Sequence, residues 1–471
     1  MTSAAARTLG RFWFLAITAK ALYLGRSVRQ ILSFFVSALA LLACSKRTPM
    51  VQEIPPSPSA AASVPSPSAV LSAAPKPPPT YNVILIMIDS LRADMPWAGY
   101  GRDIAPWLTG FEKRTTSFTR AYSLSSYTAK SVAPALVGKY PSEMERDGYF
   151  FTQWLPENLF VSERAQAAGV RTLAGHGHGY FLRKLGLDQG FDDYRLLPGT
   201  FLDLTGVSNV TGEPLTELAK TMLSDPKIVG REGRRFFAYF HFLDPHYTYY
   251  KHKDHPDYGD KRRDLYDSEV HYTDHWVGKL VDWALARPWG AETAVIITAD
   301  HGEGFGEHGH FRHAYELWET LVRVPWFIYV PGAAPHRVDV PRGHIDLAPT
   351  IAELLGLPQK PPFRGKSLAP EVRGAPAEPR PVIVDLPRCD IMDRRRGMIW
   401  QGYKLLSFGD DRRFMLFDLE RDPNEDHDLA NENPERLESM KKKYAEVSEQ
   451  IPIVPVTGGV PLKGAPESQR W

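Results

Sequence analysis

Two kinds of hydrophobic pattern alternate along the chain from Asn82 onward. The run NVILIMI is continuous, apolar and β-branched, which is typical of a strand buried on both faces of a parallel sheet. Comparable runs follow segments with helical periodicity: RRFFAYFHFL follows LTELAKTMLSD, and TAVIITAD follows DLYDSEVHYTDHWVGKLVDWALA. This alternation predicts an α/β fold with a mostly parallel central sheet flanked by helices. In such sheets ligands gather at the carboxyl ends of the strands.

The pattern changes near Pro381. Three short strand-like pieces precede a helix that begins near Pro434, and they read PVIVDL, GMIWQGYKLLSF and RRFMLFDLE. We therefore predict a catalytic domain at 81–380, a small α+β C-terminal subdomain at 381–455 and a tail at 456–471.

The first eighty residues lack the pattern of a folded domain. Ile31–Ala43 is uncharged and mostly apolar, but it is shorter than the ~20 residues of a membrane-spanning helix and suits the core of a signal peptide. It leads into LLAC, which resembles a bacterial lipobox in which Cys44 is lipidated. A plain secretory signal or an uncleaved anchor is the alternative. We expect 1–44 to be an export segment.

Residues 45–80 are rich in Pro, Ser and Ala and cannot bury a core. They predict a semi-extended tether, with an unspecific disordered linker as the alternative. Together with the export segment, the tether predicts a protein of the bacterial cell envelope. It would be lipid-anchored to a membrane through Cys44, or else secreted or periplasmic.

Composition narrows the class of partner and the size of the folded part. The chain has 471 residues and a formal net charge of +1, which gives no electrostatic basis for binding nucleic acid. Its two cysteines, Cys44 and Cys389, cannot form a disulfide framework. Roughly 390 residues remain after the tether, enough for one large α/β domain with a smaller appendage.

Polar residues follow two of the predicted strands. Asp89 ends the first strand, and Asp300 with His301 ends TAVIITA. Two carboxylates and an imidazole at the tips of parallel strands predict a cation site, which the hydroxyl of Thr128 could complete from the start of a helix. Each residue also has a structural explanation, since Asp89 could cap the next helix and Thr128 could be a helix N-cap.

Seven segments resemble, in order, the landmarks of the sulfatase and alkaline phosphatase superfamily. The resemblance covers nearly all of 82–435 and implies an alkaline-phosphatase-like fold and metal-dependent ester chemistry. The segments are IDSLRADMPWAGYGRDIAPWL, FLDPHYTYY, TADHGEGFGEHG, RVPWFIYVPG, HIDLAPTIAELLG, FRGKSLAP and FDLERDPNEDHDLA.

The nucleophile position departs from the sulfatase pattern. Sulfatases carry Cys or Ser ten residues before the Gly of a Thr-Gly-x-Tyr-Pro turn and oxidise it to formylglycine. Here Val137–Pro141 matches the turn, and ten residues before Gly138 stands Thr128. The family's maturation does not convert threonine, and Lys130 and Val132 replace the Pro and Arg of its core. The sequence therefore favours chemistry without formylglycine.

A threonine nucleophile resembles the phosphoethanolamine transferases and lipoteichoic acid synthases of the same superfamily. TAKSVAP resembles the T-A-x-S-V-P segment of the transferases. Their histidine thirteen residues after the metal-binding Asp corresponds to His313, and their pair of histidines five apart corresponds to His241 and His246, ahead of Tyr249. FDLERDPNEDHDL, in contrast, is more typical of soluble sulfatases.

The resemblance implies a role for each residue. We expect the metal ligands to be Asp89, Thr128, Asp300, His301 and His313. We expect the catalytic residues to be Thr128, His246 and His241, and the substrate contacts to be His246, Lys130 and Tyr249. Each of the other histidines, His241, His246 and His313, could instead be an ordinary surface or core histidine. Because one ligand is an imidazole, Zn²⁺ or Mn²⁺ suits the site better than Ca²⁺, which stays an alternative.

The leading hypothesis is a metal-dependent hydrolase or transferase that acts on phosphate esters through Thr128, with an envelope lipid or a glycan as the substrate class. A sulfatase acting without formylglycine is the first alternative. A non-catalytic binding protein with the sulfatase fold is the second, although every candidate metal ligand is present. The substrate itself has no readable signature in the sequence.

Overall fold

The structure is a computed structural model and describes residues 79–149, 152–198, 210–226, 235–389 and 392–456. The predicted export segment with Cys44, nearly all of the tether and nearly all of the tail lie outside these residues. None of the described helices combines the length and apolar character that crossing a bilayer requires.

In the described residues, strands and helices alternate as the sequence predicted. The strands are β1 (Asn82–Ile88), β2 (Thr116–Phe118), β3 (Ala121–Tyr122), β4 (Arg146–Asp147), β5 (Gln153–Trp154), β6 (Arg171–His176), β7 (Asp193–Leu196), β8 (Phe236–Phe242), β9 (Thr293–Ala299), β10 (Arg323–Val324), β11 (Trp326–Tyr329), β12 (His336–Val338), β13 (Arg342–Gly343), β14 (Val382–Leu386), β15 (Arg395–Trp400), β16 (Tyr403–Phe408) and β17 (Arg413–Asp418). The α-helices are α1 (Pro106–Glu112), α2 (Thr128–Val137), α3 (Val161–Ala167), α4 (Gly212–Leu223), α5 (Arg262–Leu285), α6 (Glu319–Val322), α7 (Leu347–Leu354), α8 (Ala369–Val372) and α9 (Pro434–Ser448).

Eight strands form the central sheet, in the order β12-β2-β11-β9-β1-β8-β6-β7. In its middle, β1 pairs in parallel with both β8 and β9. Among these eight strands only β11 runs antiparallel to its neighbours. The predicted α/β fold with a mostly parallel sheet is confirmed.

The three central strands are buried along their whole length, which explains their unbroken apolar runs. Every residue of β1, β8 and β9 is buried. A strand covered on both faces has no position where a polar side chain can reach water, so its sequence does not alternate. α4 packs on β8 and α5, and α7 packs on β1 and α2. These packed elements hold the carboxyl ends of the strands in place.

A four-stranded antiparallel sheet in the order β14-β15-β16-β17, with α9 packed on β16, forms the C-terminal part. This confirms the small α+β subdomain, whereas the exact domain boundaries stay a prediction. A buried charge cluster ties this sheet to α6: Lys404 Nζ lies 3.0 Å from Glu319 Oε1 and 2.8 Å from Glu425 Oε1. An ion pair in the interior needs such close partners, because each charge has lost its water.

Candidate metal centre and active site

Two carboxylates and an imidazole meet at the carboxyl ends of adjacent strands. Asp89 follows β1, and Asp300 with His301 follows β9. Since β1 and β9 are parallel and pair Ile88 with Ala299, their next residues emerge at the same edge of the sheet. All three side chains are fully buried, and one ligand atom from each lies within 4.8 Å of the others. These three residues could hold one divalent cation.

Thr128 is the first residue of α2, and its hydroxyl faces this centre. Thr128 Oγ1 lies 3.3 Å from Asp89 Oδ2 and 3.2 Å from His301 Nε2. The N-cap position belongs to Tyr127, so Thr128 is not the helix N-cap that the sequence also allowed. Asp89 likewise caps no helix, because Met95 is the N-cap of the next helical turn, Pro96–Ala98. Asp89 Oδ1 instead accepts a hydrogen bond of 2.9 Å from Ser90 Oγ. The start of α2 adds the positive end of a helix dipole.

The donor set fits a cation. Asp300 Oδ1 accepts hydrogen bonds from the backbone N–H groups of Ser90 (3.2 Å) and His301 (2.9 Å). Its Oδ2 is buried, has no hydrogen-bond partner in the described part of the chain, and lies 3.4 Å from His301 Nε2. Burial, and then the charge of Asp300, raise the pKa of Asp89 well above its usual value. Two carboxylates held this close in the interior call for a positive charge between them.

His301 presents its Nε2 atom to the centre in the unprotonated form. Its Nδ1 lies 2.8 Å from the carbonyl oxygen of Gly302, which can only accept, so Nδ1 carries the proton. Burial lowers the pKa of His301 to about 4, although Asp300 opposes this shift. The Nε2 lone pair is therefore available to a cation, and the backbone contact fixes the ring.

Two further histidines continue from His301 across the same edge. The ring centroid of His313 lies 4.3 Å from that of His301 and 5.1 Å from that of His246. His313 Nδ1 lies 3.1 Å from Glu303 Oε1, and the Tyr249 hydroxyl donates to Glu303 Oε2 at 2.7 Å. Burial would raise the pKa of Glu303, but the charge and hydrogen bond of His313 and the hydrogen bond from Tyr249 act together against it, and the pKa is lowered to about 2. The Glu303 carboxylate thus orients His313 and Tyr249.

His246 is oriented by the backbone. Its Nδ1 lies 2.6 Å from the carbonyl oxygen of Tyr247 and donates to it, so Nε2 is the acceptor. Burial, and then the neighbouring His313, lower the pKa of His246 to about 3. The His178 ring lies 5.6 Å from that of His246. His178, His246, His313 and His301 therefore form a row that ends beside Thr128.

The structure places His241 apart from this row. It is fully buried in β8, and its Nε2 lies 3.5 Å from Asp300 Oδ2. Its ring also packs 4.7 Å from that of Phe181. This position suits a residue that orients Asp300, and the catalytic role of His241 stays a prediction.

Lys130 is a buried residue of α2, two positions after Thr128. Two residues correspond to about 200° around a helix, so their side chains leave it on opposite sides. Its amine contacts the hydroxyl of Thr152 and lies 5.4 Å from the Trp154 ring centroid. Burial lowers the pKa of Lys130 well below its usual value. None of these contacts joins Lys130 to the histidine row, and its substrate contact stays a prediction.

Sequence reasoning did not include Glu303 or His178 among the site residues. Glu303 stands three residues after Asp300 in DHGEG, and its acidic side chain beside a predicted ligand was an available signal. His308, in contrast, lies elsewhere: it stacks on Trp318 with ring centroids 4.0 Å apart.

Two family models match the chain. One, described as Sulfatase, matches residues 81–357, and the other, described as N-sulphoglucosamine sulphohydrolase, C-terminal, matches residues 306–450. The first match covers more than half of the 471 residues and contains every residue of the centre.

Two curated relatives carry sulfatase names. The chain is 31% identical over 177 residues to the uncharacterized sulfatase YidJ of Escherichia coli (strain K12), which covers 36% of this chain and 34% of YidJ. It is 32% identical over 181 residues to the choline-sulfatase of Rhizobium meliloti (strain 1021), which covers 37% of this chain and 34% of that enzyme. The matches thus span about a third of the length of each relative.

Solved structures share the fold at lower identity. Ps i-CgsB in complex with k-i-k-neocarrahexaose matches with a TM-score of 0.64 and 21% identity, covering 79% of this chain and 93% of that one. The phosphonate monoester hydrolase of Agrobacterium radiobacter matches with a TM-score of 0.64 and 17% identity, covering 79% and 96%. The fold is therefore the one that these two proteins share. Because the Sulfatase family model matches more than half of the chain, the chain belongs to the sulfatase family.

Proposed function

We propose that the protein is a metal-dependent hydrolase or transferase that acts on phosphate esters through Thr128. The position of the Thr128 hydroxyl carries this proposal. It stands at the start of α2, 3.3 Å from Asp89 Oδ2 and 3.2 Å from His301 Nε2, where a sulfatase would need formylglycine. Threonine offers a hydroxyl that can form one covalent ester bond but no aldehyde hydrate, and this favours phosphoryl over sulfuryl chemistry.

Asp89, Asp300 and His301 would hold the cation, with the Thr128 hydroxyl as the fourth donor. The nitrogen of His301 favours Zn²⁺ or Mn²⁺ over Ca²⁺, which prefers oxygen. When bound, the cation would stabilise the charge on the phosphoryl oxygens and lower the pKa of the Thr128 hydroxyl. The backbone N–H groups of Ser90 and His301 keep the Asp300 carboxylate oriented.

Thr128 carries the covalent step. Its Oγ1 attacks phosphorus, an Oγ–P bond forms and the bond from phosphorus to the leaving alcohol breaks, so that the proton lost by the Thr128 hydroxyl balances the one gained by the leaving oxygen. The positive end of the α2 dipole faces the phosphoryl oxygens during this attack. Water, or the hydroxyl of an acceptor, then attacks the phosphothreonine, so the Oγ–P bond breaks and Thr128 is restored.

His246 and His313 would act as general acid and base on the side of the phosphorus opposite Thr128. His246 donates from Nδ1 to the Tyr247 carbonyl, and His313 donates from Nδ1 to Glu303. Nε2 of each ring is therefore the nitrogen that can accept a proton. An Nε2 atom held in this way can take the proton of the attacking water or acceptor hydroxyl and return it to a leaving oxygen. Tyr249, whose hydroxyl donates to Glu303, would contact the substrate.

A sulfatase acting without formylglycine is the second candidate, and the sulfatase names of the relatives favour it. The phosphonate monoester hydrolase of Agrobacterium radiobacter, which shares the fold, supports the proposal that the substrate is a phosphate ester. Ps i-CgsB was solved with a carrahexaose, which supports a glycan ester as one substrate class for this chain. An envelope lipid is the other class.

Three aryl esters with one leaving group separate these candidates. We expect the purified chain to hydrolyse 4-nitrophenyl phosphate or bis(4-nitrophenyl) phosphate at least about a hundredfold faster than 4-nitrophenyl sulfate, roughly 2.7 kcal/mol in activation free energy. The release of 4-nitrophenol measures all three reactions on the same scale. Faster hydrolysis of the sulfate would establish the second candidate. No turnover of any ester with a full complement of cation would favour a binding protein.

We also propose that the enzyme is tethered to a membrane of the cell envelope through Cys44, which lies outside the described residues. Cys44→Ala should move the protein from the membrane fraction to the soluble fraction, because the lipid would be its attachment. The melting temperature and ester turnover should stay unchanged, since the tether separates the anchor from the catalytic domain. Immunoblots of the two fractions measure the shift, and unchanged membrane association of the variant would contradict the lipid anchor.

A further inference from the structure

Four histidines gather outside the metal centre, on α5 and on the β8–α5 loop (residues 243–261). His252 and His255 lie in the loop, and His271 and His275 lie on α5. Because His271 and His275 are four residues apart, their side chains project from the same face of the helix. None of these four belongs to the row that ends beside Thr128.

His255 links the loop to the helix. Its Nδ1 lies 2.8 Å from Nδ1 of His271, and its ring centroid lies 5.5 Å from that of His275. Two neutral imidazole nitrogens can share one proton, so one of these Nδ1 atoms offers a lone pair to the other. His252 has separate partners: its Nε2 lies 3.0 Å from Glu269 Oε2, and its ring stacks on Tyr272.

The spacing of the His255 and His271 nitrogens is close to that of two ligands of one metal ion. Zinc–nitrogen bonds are about 2.0–2.1 Å long, so two nitrogens of a tetrahedral site lie roughly 3.3 Å apart. The His255 and His271 nitrogens need to separate by only a few tenths of an ångström from their 2.8 Å contact. His275 is exposed, so its ring can rotate toward the pair without displacing core residues. Two histidines at i and i+4 of a helix are a known zinc-binding spacing.

We propose that His255, His271 and His275 form a second transition-metal site, which takes Zn²⁺ or a similar late first-row divalent cation. Three imidazole nitrogens and one water molecule would give the cation its four ligands. Burial, and then the neighbouring histidines, lower the pKa of His255 to about 4, and burial also lowers the pKa of His271 and His275. Neutral imidazoles are the metal-binding form, so few protons have to be displaced at pH 7.

A cation at this site would fasten the β8–α5 loop to α5. The same loop carries His246 and Tyr249, which face the metal centre. The second site would thus stabilise the segment that shapes the active site, without contacting the reacting groups. The proposal of a second site does not depend on the identity of the substrate, and it would hold even if the proposed function were wrong.

Zinc stoichiometry tests this site directly. Tag-free protein is stripped with a chelator, reloaded with Zn²⁺, separated from free metal by gel filtration and analysed for zinc. We expect His271→Gln/His275→Gln to hold one equivalent less than the wild type. The matched control, His336→Gln/His427→Gln, removes two histidines elsewhere and should hold as much zinc as the wild type. An unchanged zinc content of the His271→Gln/His275→Gln variant would overturn the proposal.

The Asp300→Asn background isolates the second site from the metal centre. We expect this variant to retain one equivalent of zinc and to melt at a higher temperature with Zn²⁺ than without it. Adding His271→Gln and His275→Gln should abolish both the bound zinc and the shift. If the combined variant does not fold, His275→Gln alone changes an exposed residue and should weaken zinc binding at least tenfold. Binding of equal strength in that single variant would also reject the site.

Discussion

Thr128→Ala is expected to reduce phosphate-ester turnover at least about a thousandfold, which corresponds to ~4 kcal/mol of transition-state stabilisation. The substitution removes the hydroxyl at the first residue of α2, which lies 3.2 Å from His301 Nε2. The three principal donors to the cation, Asp89, Asp300 and His301, remain. Bound cation should therefore stay near one equivalent at the centre while turnover is lost. Steady-state rates with an aryl phosphate and metal analysis of the same samples measure both quantities.

Two substitutions serve as controls for this loss. Thr128→Ser keeps a hydroxyl at the same reach and should retain part of the activity. Thr221→Ala makes the same chemical change on α4, where the Thr221 hydroxyl donates to the Glu217 carbonyl, and it should leave turnover unchanged. Turnover of Thr128→Ala above a tenth of the wild-type rate would show that another group attacks phosphorus.

A covalent intermediate gives an independent readout. A slowly resolved phosphodiester should add a phosphoryl-containing group to the peptide that carries Thr128, and mass spectrometry locates it. Thr128→Cys should gain no sulfatase activity, because Lys130 and Val132 replace the Pro and Arg of the maturation core. A phosphoryl adduct on another peptide would move the nucleophile away from Thr128.

The long buried strands could be predicted from the sequence because burial on both faces imposes a continuous apolar run. β1 and β9 follow the runs NVILIMI and TAVIITA to the residue. The short strands could not be predicted in this way. β2 has three residues and pairs with β12, more than two hundred residues away, so its strand character depends on contacts that no local pattern carries.

The centre could be predicted in part for a similar reason. Asp89 and Asp300 follow parallel strands, and strand ends converge at one edge whatever the details of packing. The direction of a side chain that leaves a helix or strand depends on tertiary contacts instead. Lys130 lies against Thr152 and His241 lies beside Asp300, and no pattern in the sequence indicated either contact. Glu303 was missed although it stands three residues after Asp300, because its contact with His313 forms only in the folded chain.

Asp300→Asn is expected to reverse the order of stability between variant and wild type when the cation is removed. With cation present at about a hundred times its dissociation constant, binding stabilises the wild type by ~2.7 kcal/mol. The variant loses this contribution, because the cation loses a charged ligand from a set whose atoms lie within 4.8 Å of one another. Asp89→Asn should lose the same contribution.

With chelator the balance changes sign, because the carboxylates of Asp89 and Asp300 then either repel each other as two charges or require a proton on Asp89, whose pKa is raised well above its usual value. Two charges about 5 Å apart repel by on the order of 3 kcal/mol at an effective dielectric constant of about 20. Asparagine removes one charge, and its carbonyl oxygen still accepts from Ser90 N and His301 N, so the chelated variant should be at least as stable as the chelated wild type. Denaturant unfolding of both proteins, with metal and with chelator, measures the four free energies. Asp426→Asn, an exposed control, should follow the wild type in both conditions. If chelator destabilised Asp300→Asn as much as the wild type, Asp300 would not be a ligand, because a cation bound without it would account for the whole effect.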